Sequence, residues 1–94
     1  ILEDGCTIKK YLKALKETVL PAIKRFEPKY IILSAGFDTY ELDPIGQFKL
    51  KTEDFYTIGS VFKKIGLPTV ILQEGGYHTQ DLGKNVVSLL NAFV

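Results

Sequence analysis

The stretch Tyr30-Ile31-Ile32-Leu33-Ser34-Ala35, followed at once by Gly36-Phe37-Asp38, decides the fold. It is a short β-branched, apolar run without polar alternation, the pattern of a strand covered on both faces. Such a strand needs helices above and below it, and helical patterns flank it. Upstream, Ile8, Tyr11, Leu12, Leu15, Val19, Ala22, Ile23 and Phe26 recur at spacings of three and four and form one apolar stripe, with Thr7 placed to cap it. Pro21 lies within that stripe and removes a backbone hydrogen bond, so a kink or a corner between two helices is expected there; Pro28 marks the exit. Downstream comes a long loop, Gly36 to Lys51, and then a second helix. Thr52 is its expected cap, Glu53 and Asp54 lie in its first turn, Lys63 and Lys64 in its last, and Gly66 just beyond. Its buried stripe reads Phe55, Ile58, Phe62 and Ile65. Thr69 to Leu72 is a second apolar strand, ended by Glu74-Gly75-Gly76. A last helix from about Asp81 shows Leu82, Val86, Leu89, Leu90 and Phe93 on one side.

The order α, β, α, β, α makes the two strands parallel neighbours joined by a right-handed crossover. Two buried parallel strands do not make a stable sheet by themselves. The pattern therefore predicts an α/β chain that is a fragment of a larger doubly wound sheet, or that depends on a partner to complete one.

At 94 residues the chain fits at most one small domain with a thin core. A net charge of +1 gives no electrostatic case for nucleic acid. The single cysteine, Cys6, excludes an internal disulfide and a cysteine metal cluster, and it suits a reducing cytoplasm. No apolar run approaches the roughly 18 residues of a membrane helix, and the start lacks a signal peptide's regions, so a soluble protein away from membranes is expected. The start at Ile1 rather than at methionine suggests that something precedes it.

In open parallel sheets, ligands bind beyond the carboxyl ends of the strands. Asp38 follows the first strand, and Gly75-Gly76-Tyr77-His78 follow the second. With neighbouring strands about 4.8 Å apart, the two loops can bring Asp38 and Tyr77 to one site. Asp38 is either an oxygen ligand for a divalent metal or general base, or an aspartate that closes a turn by accepting backbone N–H bonds. Tyr77 is either a donor to a developing oxyanion or a ring packed over the sheet edge. Gly75 and Gly76 permit close backbone approach, but the spacing of a dinucleotide loop is absent, which makes a phosphate site the weaker idea. His78 reads as a loop or rim residue, Asp43 before Pro44 as a turn residue, Glu41 as solvated, and Ser34 as a hydroxyl inside a strand.

Taken together, Ser34-Ala35-Gly36-Phe37-Asp38-Thr39, Asp43-Pro44-Ile45-Gly46, Leu50-Lys51-Thr52-Glu53-Asp54-Phe55 and Glu74-Gly75-Gly76-Tyr77 resemble the histone deacetylase superfamily. Phe48-Lys49-Leu50 and the segment from Gly66 to Tyr77 look most like its bacterial acetylpolyamine amidohydrolases. The resemblance runs over nearly the whole chain in the family's order. It implies a zinc-dependent amidohydrolase that removes acetyl groups from amines such as acetylpolyamines or acetyl-lysine, in an arginase-like three-layer αβα fold with a central parallel sheet. It also implies roles. Asp38 matches the last of three zinc ligands, Tyr77 the tyrosine that hydrogen-bonds the acetyl carbonyl oxygen, and Gly75 and Gly76 the glycines that let that tyrosine approach. In such a site zinc polarises the carbonyl and acidifies a bound water toward a pKa of about 7.

The family's Asp-x-His pair and its tandem histidines lie upstream of the matched region, and a chain with one histidine cannot contain them. Residues 1–94 are accordingly expected to be the carboxyl-terminal segment of a single deacetylase domain, inactive alone, with the upstream remainder of that domain as partner and an oligomer as an open possibility. Two alternatives stand beside this: a catalytically silent assembly module of the same fold, and an arginase-like metallohydrolase. The substrate is not legible, with Glu41 and Glu74 as the candidates for a second ammonium group.

Overall fold

Both apolar runs are strands. In the computed structural model, which describes residues 1–94, the elements are α1 (Ile8–Ala14), a π-helical turn (Leu15–Val19), α2 (Leu20–Phe26), β1 (Ile31–Ala35), α3 (Thr52–Ile65), β2 (Thr69–Gln73) and α4 (Thr79–Asn91). β1 and β2 pair in parallel, with Ile31 opposite Thr69 and Ala35 opposite Gln73. The α/β architecture expected from the alternation of patterns is thus present, with α3 as the crossover.

Cover is one-sided within these residues. Ala35 is buried, and Leu33 and Ile71 pack against the core, while Ile32 is 63% exposed, Val70 55% and Leu72 49%. Because successive strand residues point to opposite faces, one face of the pair carries the core and the other is bare. The core groups Leu15, Phe37, Tyr40, Leu50, Phe55, Ile58, Phe62 and Leu89 with Ala35, and side chains from all the helical segments except α2 pack around it. The expected second helix layer is not supplied by residues 1–94, so the apolar residues of that face stand exposed.

At Pro21 two helical segments do meet, as expected, joined by a π turn that ends two residues before the proline, with helical dihedrals at Leu15, Val19 and Leu20. Proline lacks the N–H that would bond the carbonyl four residues back, and a wider turn absorbs that missing bond. Several local expectations are corrected. Phe26, read as part of the buried stripe, is 82% exposed at the end of α2. Thr7 is the cap residue of α1 but makes no side-chain capping bond. Lys51, not Thr52, caps α3, and the Asp54 carboxylate accepts the Lys51 N–H at 2.8 Å. Thr52 instead donates to Asn85 Oδ1 at 2.7 Å. On α4 the buried positions include Asn85, whereas Leu90 faces outward. Gly59 lets α3 and α4 meet, since a Cβ there would lie 2.7 Å from the Leu89 carbonyl oxygen and 2.8 Å from Ala92 Cβ. No helix is long and apolar enough to cross a membrane.

Candidate active site

The strand pairing does not stop at the strand ends. Glu74 N–H donates to the Ala35 carbonyl at 2.9 Å, and Phe37 N–H donates to the Gly75 carbonyl at 2.8 Å. These bonds carry the two outgoing chains side by side at the carboxyl edge of the sheet. Asp38 and Tyr77 therefore leave from neighbouring positions, as the strand order requires.

Glycines shape what lies between them. A Cβ at Gly75 would sit 2.6 Å from Asp38 Oδ2 and 3.4 Å from Tyr77 Cε2, so the bare α-carbon occupies the space between carboxylate and ring. A Cβ at Gly36 would sit 3.0 Å from Asp38 Oδ1. Gly76 has φ +143°, a conformation that side-chain-bearing residues rarely adopt, and a Cβ on it would press on Leu82 Cδ1 at 2.8 Å and Phe37 Cβ at 3.0 Å. The glycine pair thus runs against the core and against Asp38, and Tyr77 emerges from it with half of its surface exposed.

Asp43 closes its own turn, as expected of it from the sequence. Asp43 Oδ1 accepts the N–H groups of Ile45 at 2.8 Å and Gly46 at 2.9 Å, as a turn aspartate does. Its Oδ2 accepts the N–H of Tyr77 at 2.7 Å, a bond between residues 34 positions apart that no local pattern could reveal. Burial pushes the Asp43 carboxyl group up, but the backbone N–H groups of Gly46, Tyr77, Ile45 and His78 more than offset this and hold it below the usual carboxylate range. No side chain or backbone group of the chain donates to the Asp38 carboxylate, which leaves its oxygens available.

The remainder of the Tyr77 loop is held from below. Tyr40 O–H donates to Asp81 Oδ2 at 3.0 Å, and Lys84 Nζ donates to Asp81 Oδ1 at 3.0 Å. The Lys84 and Tyr40 bonds hold the Asp81 carboxyl group low, and burial followed by the Asp81 bond raises the Tyr40 phenol. His78 is a loop residue at the start of α4: its ring meets Tyr40 edge-on at 5.6 Å between centroids, and its Nδ1 lies 3.4 Å from Asp81 Oδ2. Ser34 Oγ donates to Glu74 Oε1 at 2.5 Å, on the strand face that carries Ile32, so Glu74 is already engaged. Glu41 is exposed.

A zinc ion needs about four ligands, of which a catalytic site takes three from protein. Nowhere in residues 1–94 do three His, Cys, Asp or Glu side chains converge on a common point. The chain offers Asp38 alone, a donor of suitable chemistry that does not close a metal site by itself.

Residues 1–93 match the family described as the histone deacetylase domain. The chain belongs to the histone deacetylase family. Among its relatives, an acetylpolyamine amidohydrolase from Burkholderia pseudomallei is 40% identical over 77 residues, covering 82% of this chain and 23% of that protein. Acetylpolyamine amidohydrolase 1 from Pseudomonas aeruginosa is 38% identical over 71 residues, covering 76% of this chain and 20% of the relative. The crystal structure of acetylpolyamine aminohydrolase from Burkholderia pseudomallei superposes with a TM-score of 0.91 at 35% identity, covering 98% of this chain and 27% of that one. The likeness to the bacterial acetylpolyamine amidohydrolases seen in the motifs is therefore found again in both sequence and fold. The chain spans about a quarter or less of the length of the proteins it matches.

Proposed function

We propose that residues 1–94 form one segment of a zinc-dependent deacetylase domain that hydrolyses the amide bond of acetylated amines, and that Asp38 and Tyr77 belong to its active site. The observation that carries this reading is the juxtaposition of the unengaged Asp38 carboxylate and the exposed Tyr77 ring on either side of Gly75. Membership of the deacetylase family supplies the reaction class. In this reading Asp38 is one oxygen ligand of the zinc, whose other ligands come from outside residues 1–94. The metal, when bound, supplies Lewis-acid activation of the acetyl carbonyl and of water.

Tyr77 serves the other side of the reacting carbon. As water adds to the acetyl carbonyl, negative charge gathers on the carbonyl oxygen, and a phenol fixed beside it stabilises that charge by donating a hydrogen bond. Gly75 and Gly76 allow the tyrosine backbone to lie close to Asp38, and the Asp43 and Asp81 contacts keep the loop from drifting. Acetylpolyamines are the favoured substrate class because the relatives cited above are named for them. Glu74, tied to Ser34, is a poor candidate for recognising a second ammonium group.

The test is metal content and turnover in the complete domain. Asp38→Ala is expected to lose zinc and activity together, whereas the isolated 94-residue chain is expected to bind zinc poorly and to hydrolyse neither an acetyl-lysine nor an acetylpolyamine reporter. Stoichiometric zinc in Asp38→Ala would remove the ligand role. A complete domain without any turnover would favour the silent assembly module, and hydrolysis of guanidino compounds the arginase-like alternative.

A further inference from the structure

The deepest acidic group at the site is one that the reaction outlined above does not use. Asp43 is 8% exposed, and neither of the chain's ion pairs involves it. A buried carboxylate without a cation is costly unless its oxygens are fully hydrogen-bonded. Here backbone N–H groups from two different loops serve that purpose, with Ile45, Gly46 and Tyr77 at hydrogen-bond distance. A carboxylate serving only its own turn would be satisfied by Ile45 and Gly46. The Tyr77 bond reaches across to the residue whose side chain is the proposed oxyanion donor.

The other end of the turn touches the other half of the site. A Cβ at Gly46 would overlap the Asp38 carbonyl oxygen, so the turn closed by Asp43 is pressed against the backbone of Asp38. One oxygen of Asp43 thus fixes the support behind the carboxylate, and the other fixes the main chain that aims the phenol.

We propose that Asp43 is a positioning residue for the deacetylation reaction, locking the Asp38 loop to the Tyr77 loop and so setting the separation between metal ligand and oxyanion donor. This rests on the function proposed above. It assigns Asp43 no contact with substrate. Its contribution to turnover passes through Tyr77, and that makes it separable from a contribution to folding.

The test is a double-mutant cycle in the complete domain, with zinc content and thermal midpoint recorded for every variant. Asp43→Asn keeps the shape but presents an N–H₂ group in place of one acceptor. Alone it is expected to lower kcat about tenfold or more, with KM within roughly threefold of wild type and zinc retained. In a Tyr77→Phe background the same change is expected to cost no more than about twofold, because the group it positions is gone. Asp43→Ser, whose hydroxyl can close the turn but is too short to reach the Tyr77 N–H, repeats the cycle should the asparagine variant not fold. If Tyr77→Phe alone leaves kcat unchanged, the underlying functional reading fails. If Tyr77→Phe is impaired but the Asp43 changes cost the same in both backgrounds, or nothing in either, the positioning role is overturned. Failure of both Asp43 variants to fold with zinc bound would make it a folding residue, which also overturns the proposal.

Discussion

Gly75 leaves no room for a side chain between Asp38 and Tyr77. In Gly75→Ala the added methyl would meet Asp38 Oδ2 at 2.6 Å, so the carboxylate or the loop must move. The expected result in the complete domain is a loss of roughly 10- to 100-fold in zinc affinity or activity, the usual scale for disturbing a ligand's immediate support, read by metal titration and turnover. Asp43 gives a pH prediction. Its folded-state carboxyl group is held below its usual range by backbone N–H groups despite burial, so it stabilises the fold above the unfolded carboxyl pKa of about 3.9. That contribution is lost as pH falls through the lower folded value. The stability difference between wild type and Asp43→Asn should accordingly be level near neutrality and shrink in acid, measured by unfolding across pH. A difference that grows in acid would mean that the carboxylate is not the stabilised form. At this scale the placing of Asp38, Tyr77 and the glycine pair at the carboxyl ends of neighbouring strands was legible, because the strand pattern and order are local. The cross-loop role of Asp43 was not, because its third hydrogen bond joins residues distant in sequence.

Among the elements, α3 and α4 hold the floor of the site. Thr52 Oγ1 donates to the buried Asn85, Ser88 Oγ donates to the Thr52 carbonyl at 2.6 Å, and Gly59 lets the helices touch. Asn85→Ala removes the acceptor for Thr52 and is expected to destabilise by about 1 to 3 kcal/mol, lowering the thermal midpoint of the complete domain. The loss should be smaller in a Thr52→Ala background; equal losses in both would show that the pair is not coupled. Periodicity located these helices, their buried stripes and the Gly66 terminus, since apolar spacing and end chemistry are local. It missed Asn85, because a polar residue on an apolar face is read as solvated until its partner is visible. It also misread Phe26, because a helix end that projects beyond the core is settled by packing rather than by spacing.

For the whole molecule, the bare face of the sheet is the governing fact. Ile32, Val70 and Leu72 form an exposed apolar surface on two strands that have no further strand beside them, an arrangement too small for independent stability. The isolated 94-residue chain is therefore expected to bind a hydrophobic dye or self-associate, and to melt without a sharp cooperative transition. A sharp, reversible melt without dye binding would show that the segment is self-sufficient. The bare face was foreshadowed in sequence by two strands that both read as covered on two faces, with too few helices to cover them. The most direct measurement on the proposed site is turnover of an acetylated amine by Tyr77→Phe in the complete domain, with zinc assayed on the same sample. The expected outcome is a fall in kcat of about 100-fold or more, the scale of losing one oxyanion donor, with zinc content unchanged. Turnover at the wild-type rate would contradict the placing of Tyr77 opposite Asp38 in one active site.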